Sequence, residues 1–257
     1  MEYVFVAITV LLGAGLTFFS GFGLGTLMLP VFSFFFPLPV AVGATAIVHL
    51  ANNLFKFGLV YRNIHFPTLV RFGFPAVIFS AFGAYFLGFI GNIEALHSYS
   101  IADKNVEITL LKVVLGSLMV FFAWFDLDPR FSNLKIKSKW MPIGGILSGF
   151  FGGISGHQGA FRSAFLNKSG LTKEAYIGTS NAIALWIDLA RLFVYYETFN
   201  FSVLRNNSSL LVIGIVFAFF GTYFGKKLVE KVTMKGIQRI VGGMLLVIGA
   251  LFIAGWL

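Results

Sequence analysis

The sequence contains no cysteine, which excludes disulfide bonds, thiolate metal sites and cysteine nucleophiles. Charges are also scarce: Asp, Glu, Lys and Arg make up 11% of the 257 residues, against roughly a quarter in a soluble domain. Hydrophobic residues make up 58%, Phe occurs 33 times, and the mean hydropathy is +0.88. A soluble domain of this length could not cover so much apolar surface, so the composition indicates an integral membrane protein. It argues against a soluble enzyme, a collagen and a disordered chain.

The N-terminal region lacks charge almost entirely. Between Glu2 and Lys56 there is no Asp, Glu, Lys or Arg, a stretch that would measure about 80 Å as one α-helix. A hydrocarbon core is only about 30 Å thick, so this stretch must fold back on itself. A cleavable signal peptide begins with a basic region, which is missing here, so the first apolar segment is expected to belong to the mature protein.

The formal net charge of +9 has an explanation that does not involve nucleic acid. Lys and Arg collect in the cytoplasmic loops of membrane proteins, and no soluble basic domain is available for nucleic-acid binding. The linkers 126–139 and 226–239 are basic, whereas 92–107 is acidic. We therefore expect the two basic linkers to face the cytoplasm and the acidic one to face outside, in a multi-pass protein of the cell membrane.

Apolar runs and helix breakers divide the chain into eight segments, approximately 4–36, 39–61, 66–91, 108–125, 140–166, 172–196, 207–226 and 237–256. Three segments lie between the basic linkers, and three complete crossings would put these linkers on opposite sides of the membrane. Repeated glycines make 140–166 the best candidate for a re-entrant hairpin that enters and leaves on one side. Segment 4–36 has similar glycines and Pro30. Treating both as re-entrant leaves six crossings and places both termini outside.

The two halves of the chain resemble each other. A shift of 134 residues superimposes Gly25 on Gly159, Thr45 on Thr179 and Tyr61 on Tyr195. We therefore predict an all-α integral membrane protein with two inverted repeats, each a Gly-broken re-entrant hairpin plus three transmembrane helices. The first repeat spans 1–127, a cytoplasmic basic linker spans 128–139, and the second repeat spans 140–257. Inverted repeats with broken helices are typical of secondary transporters, which bind substrate near the bilayer midplane.

The glycine breaks are the first candidates for an anion site, because a helix N-terminus offers free N–H groups and glycine permits close approach. The alternative is tight helix packing through small residues. The candidate positions are Gly21, Gly23, Gly25 and Gly156.

Polar side chains in the middle of apolar segments complete the candidate anion site. Interhelical hydrogen bonding is the alternative for those in 39–61, and mutual pairing is the alternative for Asp188 and Arg191 at i, i+3. Arg162 can bind an anion or reach toward the cytoplasmic interface. His157 can take up a proton or simply hydrogen-bond to a neighbour. The full set is His49, Asn52, Asn53, His157, Gln158, Arg162, Ser180, Asn181, Asp188 and Arg191.

Three motifs resemble a known family. Gly21-Phe22-Gly23-Leu24-Gly25, the Ala-Thr-Ala run at 44–46 and the Gly-Thr-Ser-Asn run at 178–181 are similar to the sulfite exporter (TauE/SafE-type) family. The resemblance covers essentially the whole chain and implies transport of a small sulfur-containing anion such as sulfite, thiosulfate or an organosulfonate. The second hairpin departs from the family pattern, since it has His157 and Gln158 where a plainer glycine run is expected.

The leading hypothesis is therefore a secondary transporter, with an anion channel as the alternative. Its expected partners are the anion, the lipid bilayer and protons as a candidate coupled ion; the oligomeric state stays open. The sequence has no Walker motif, no His-Glu-x-x-His motif and no Gly-x-Ser-x-Gly elbow. We accordingly expect no enzyme activity, catalytic residue, metal or cofactor.

Overall fold

The computed structural model describes residues 2–20, 24–101, 104–128, 138–166, 169–228 and 234–257. These residues are mainly helical, with one antiparallel β-hairpin. The elements are α1 (Glu2–Ser20), α2 (Leu24–Ser33), α3 (Leu38–Val60), α4 (Phe66–Gly91), β1 (His97–Ile101), β2 (Lys104–Ile108), α5 (Leu110–Leu127), α6 (Met141–Ser155), α7 (Gly159–Leu166), α8 (Lys173–Thr198), α9 (Ser202–Asn206), α10 (Ser208–Leu228) and α11 (Met234–Ile253).

Local sequence signals explain where several helices begin. The side chain of Thr109 accepts a hydrogen bond from the Lys112 N–H at the start of α5. Thr172 caps α8 in the same way, by accepting from the Ala175 N–H. These are N-caps, which satisfy backbone donors that have no partner within the helix. From residue 39 onward, the helices begin and end close to the boundaries of the predicted segments.

The glycine-rich segment 140–166 is broken, as predicted. It forms α6 and α7, separated at Gly156, which has a left-handed φ of 79°. At about 1.5 Å per residue, helices of 15 and 8 residues are about 22 and 12 Å long, shorter than a hydrocarbon core of about 30 Å. Segment 4–36 likewise forms two helices, α1 and α2; Gly21 and Gly23 lie outside the described residues.

The helices carry apolar side chains outside and polar ones inside, the polarity expected when lipid is the solvent. Large apolar side chains such as Phe82, Phe89 and Phe193 are exposed on the outer surface. Four helical stretches of the described residues are long and apolar enough to cross a membrane: Leu38–Asn63, Phe66–Gly91, Lys173–Thr198 and Ser208–Gly225. Shorter apolar stretches occur in α1, α5 and α11. The chain is therefore an all-α, multi-pass membrane protein in its membrane part.

Helix packing brings the two halves of the chain into a reciprocal arrangement. Helix α1 packs along α10, and α6 packs along α4, so the first helix of each half lies against the other half. Helix α3 packs against α8, and α5 against α11. The α3–α8 contact lies in the interior and brings together the most polar helices of the two halves. This contact positions the candidate site.

The acidic linker, which the sequence predicts only as a loop, contains the β-hairpin. Tyr99 of β1 pairs with Val106 of β2, and the Tyr99 hydroxyl donates to the Ala254 carbonyl at 2.6 Å. The Trp256 indole N–H donates to the Tyr99 hydroxyl at 3.0 Å, and Lys112 Nζ donates to the Gly255 carbonyl at 2.9 Å. The hairpin and the start of α5 thus hold the C-terminal residues.

Candidate functional site

Asp188 of α8 is the centre of a buried polar cluster. Its side chain has no solvent exposure, and both carboxylate oxygens accept hydrogen bonds. Oδ1 accepts from Arg191 Nη2 at 2.8 Å, from Arg191 Nε at 3.1 Å and from Gln158 Nε2 at 3.0 Å. Oδ2 lies 2.7 Å from His49 Nδ1 and accepts from Asn53 Nδ2 at 2.8 Å. One carboxylate therefore joins α3, α8 and the break between α6 and α7.

The cluster continues from Gln158 to a second buried arginine. Arg162 Nη1 donates to Gln158 Oε1 at 2.7 Å, and Arg162 Nε donates to Ser180 Oγ at 2.8 Å. Arg162 is 7% exposed, so it points into the protein rather than toward the membrane surface. Asn181 Nδ2 donates to Asn53 Oδ1 at 3.3 Å and closes the network on the α3 side.

The cluster carries more positive than negative charge. Arg162 and Arg191 are both buried, and Lys56 of α3 lies within electrostatic range of Arg162 and Asp188. Asp188 is the only carboxylate in the predicted apolar segments that is not near a segment end. Among the described residues, the two buried arginines face one buried carboxylate, which leaves an excess of one positive charge when His49 is neutral. Such an excess is costly inside a membrane and favours an anion.

The first turn of α2 meets the break at Gly156 beside this cluster. A Cβ added at Gly25, in the first turn of α2, would lie 3.7 Å from the Gly156 carbonyl oxygen and 3.9 Å from His49 Cδ2. A Cβ added at Gly156 would lie 2.9 Å from Arg191 Nη1. A side chain at Gly156 would therefore crowd Arg191, whereas a Cβ at Gly25 would only be in van der Waals contact with the cluster.

Two predicted site residues face away from Asp188. Asn52 bonds to Thr222 of α10, at 2.7 Å from its hydroxyl. With the amide group rotated so that its nitrogen donates to Thr222, the Asn52 oxygen accepts from Lys56 Nζ at 3.3 Å. His157 Nδ1 lies 2.9 Å from Ser155 Oγ, and its ring stacks on Phe122 with centroids 5.2 Å apart.

The structure also adds residues that the sequence analysis did not select. The Tyr195 hydroxyl donates to the Gly153 carbonyl, and Arg191 Nη1 donates to the Gly152 carbonyl at 3.4 Å. Both carbonyls lie near the C-terminal end of α6, where few backbone N–H groups remain to pair with them. The Gly152 carbonyl also accepts from the Gly156 N–H at 2.9 Å. The match of Tyr61 with Tyr195 was the one sequence signal for this tyrosine.

Three buried polar atoms of the described residues have no hydrogen-bond partner: Thr45 Oγ1, His157 Nε2 and Asn181 Oδ1. Unpaired buried polar groups are rare and often occur at functional sites. In the same part of the chain, no three His, Asp or Glu side chains come together in a way that could hold a metal ion. The chemistry available is hydrogen bonding and positive charge, which suits a small oxyanion.

A helical multi-pass membrane protein with a positively charged polar cluster inside belongs, as a class, with the membrane transporters. The comparison with protein families agrees: the model described as "Sulfite exporter TauE/SafE" matches residues 5–252. The chain therefore belongs to the sulfite exporter TauE/SafE family, as its motifs had indicated. No curated protein matches it.

Proposed function

We propose that this protein is a secondary transporter, in the export direction, of a small sulfur-containing anion such as sulfite, thiosulfate or an organosulfonate. The excess positive charge buried around Asp188 carries this proposal. An arginine guanidinium offers a planar fork of N–H donors that fits an oxyanion, and Arg162 and Arg191 both supply one. An anion at this cluster would compensate the charge without leaving either arginine unpaired.

The neutral partners of the cluster suit a transported ion better than a permanently bound one. Asn53, Gln158, Ser180 and Asn181 supply amide and hydroxyl groups that can replace part of a hydration shell. Each such hydrogen bond contributes only about 0.5–1.5 kcal/mol net. This combination supports binding that is specific and still weak enough to release the anion.

The reciprocal packing of the two halves supports inverted repeats. The contact of α1 with α10 has its counterpart in the contact of α6 with α4, with the two halves interchanged. The contacts α3–α8 and α5–α11 each join corresponding helices of the two halves. The shortness of α6 and α7 supports a re-entrant second hairpin, and we propose the same for α1 and α2. Alternating access would then move one repeat against the other around Asp188. In this arrangement the basic linker 128–139 faces the cytoplasm, and both termini face outside.

Counterflow of radiolabelled sulfite in proteoliposomes tests the proposal. The wild-type protein should exchange labelled for unlabelled sulfite with saturation. Arg162→Gln should weaken the apparent affinity about 10–100-fold, because a hydrogen bond to a charged group contributes about 1.5–3 kcal/mol. Arg71→Gln is the matched control, since Arg71 is exposed on α4, and it should leave exchange unchanged.

Two results would contradict this function. Absence of exchange with sulfite, thiosulfate and sulfoacetate would exclude the proposed substrate class. A non-saturating anion current without counterflow would instead support the alternative, an anion channel.

A further inference from the structure

We infer that Asp188 occupies the anion position of the empty site, and that the His49–Asp188 pair takes up one proton when the transported anion binds. The protein would then move the anion together with a proton, and export would be driven by the anion gradient and by the membrane potential acting on the net negative charge of a divalent anion with one proton. This inference rests on the proposed function and assigns the coupled ion and the residues that bind it.

The hydrogen bonds of Asp188 are the first support. Arg191, Gln158 and Asn53 are the donors that an incoming oxyanion would need, and each of them already donates to the carboxylate of Asp188. Asp188 is itself a small oxyanion with no solvent exposure. In the structure, the carboxylate of Asp188 therefore accepts the hydrogen bonds that a substrate anion would otherwise accept.

The charges that face Asp188 give the second support. His49 and Lys56 face it from α3, Arg162 reaches it through Gln158, and Arg191 and Tyr195 face it from α8. A substrate anion that takes Arg191 or Gln158 would leave the carboxylate negative beside a second negative charge. A proton bound to the pair removes one of these two charges. Anion binding and proton binding therefore favour each other, and thermodynamic linkage makes this coupling reciprocal.

The geometry of the pair shows where the proton can go. His49 Nδ1 and Asp188 Oδ2 are 2.7 Å apart, so one proton is already shared between them. A second proton, taken from solution, has the imidazole Nε2 as its acceptor. The neighbouring ring atom, His49 Cδ2, lies 3.9 Å from where a Cβ at Gly25 would be, so this edge of the ring is next to the first turn of α2. The step is a proton transfer only, with no covalent bond formed to the anion.

The test compares accumulation driven by a pH gradient in proteoliposomes whose membrane potential is held at zero. Thiosulfate is the first probe, because it does not titrate near neutral pH. With one proton per anion, a gradient of one pH unit should accumulate thiosulfate about tenfold in wild type. Asp188→Asn keeps the size of the side chain and replaces one acceptor oxygen by a donor, and its ratio of accumulation to counterflow should fall below that of wild type. Glu197→Gln is the matched control, since Glu197 is an exposed carboxylate on the same helix, and it should accumulate thiosulfate like wild type.

A second measurement follows the proton directly. A pH-sensitive dye inside wild-type liposomes should report one proton entering per thiosulfate. His49→Gln, which retains a hydrogen-bonding side chain, should remove that proton signal. If the protein exchanges sulfite but not thiosulfate, sulfite becomes the probe. Sulfite itself takes up protons near neutral pH, but equally with both proteins. The readout is then the accumulation of sulfite by wild type above that by Asp188→Asn.

The outcomes separate the two proposals. Absence of counterflow in wild type overturns the proposed function. Counterflow in wild type without proton movement, or a ratio of accumulation to counterflow in Asp188→Asn equal to that of wild type, overturns the proton coupling and leaves the transporter function standing.

Discussion

Replacing Gly149 by alanine should destabilise the protein by forcing α6 away from α4. The contact between these helices follows a line of glycines four residues apart on α6, at Gly145, Gly149 and Gly153. A Cβ added at Gly149 would lie 2.2 Å from the Ala76 carbonyl oxygen and 2.7 Å from the Ala76 Cα. Close approach through small residues is how membrane helices gain packing contacts in the absence of a hydrophobic driving force between them.

The expected magnitude follows from these distances. Real Cβ atoms almost never approach closer than 3.0 Å, so the backbones must separate by about 0.8 Å. Overpacking of this kind costs about 1–3 kcal/mol, and each kcal/mol lowers Tm by about 2–4 °C for a chain of this size. We therefore expect a decrease of about 2–12 °C. The same displacement would move Gln158 relative to Asp188, whose hydrogen bond is now 3.0 Å long, so sulfite affinity should fall as well.

Thermal unfolding of the purified protein in detergent, followed by tryptophan fluorescence, measures this effect. Gly243→Ala is the matched control, because a Cβ at Gly243 of α11 would meet nothing within 4 Å. That variant should have unchanged or slightly higher stability, since alanine is favoured over glycine in a helix by about 0.5–1 kcal/mol. A Gly149→Ala protein that melts within 1 °C of wild type, or a control that loses as much, would refute the reasoning about this interface.

Two further substitutions test individual hydrogen bonds. Tyr195→Phe leaves the Gly153 carbonyl without its side-chain donor and should cost about 1 kcal/mol, read as a lower Tm; Tyr196→Phe, at an exposed position, should have no effect, and equal losses in the two variants would exclude a specific role for the Tyr195 hydroxyl. Tyr99→Phe removes the bond to the Ala254 carbonyl and should make the C-terminal residues faster to digest with carboxypeptidase while sulfite counterflow is unchanged; digestion at the wild-type rate would count against the clamp formed by the β-hairpin.

Much of the candidate site was accessible from the sequence, because an ionisable residue in a long apolar run is conspicuous without any structure. Asp188, Arg191 and Arg162 were selected on that ground. The i, i+3 spacing also indicated the alternative for two of them, a mutual Asp188–Arg191 pair, and the structure contains this pair at 2.8 Å. His49 and Asn53 were selected as mid-helix polar residues, but nothing in the sequence indicated that both would contact Asp188, which lies far from them along the chain.

Adjacent residues show why the remaining contacts could not be predicted. Asn52 and Asn53 are consecutive, and successive helical residues point about 100° apart. Asn53 therefore meets α8, whereas Asn52 meets Thr222 of α10. Which face of α3 meets which helix depends on packing between distant segments. The same holds for His157, whose ring stacks on Phe122 of α5.

By itself, the sequence determined the membrane environment, the break in 140–166 and the family, because hydropathy, glycine content and short motifs are local properties. Only the packed structure shows that one carboxylate is shared by α3, α8 and the break between α6 and α7, and that the buried arginines outnumber it. Charge balance in a membrane interior depends on distances between side chains that are far apart in the chain. Those distances exist only once α3, α8 and the break at Gly156 have packed together.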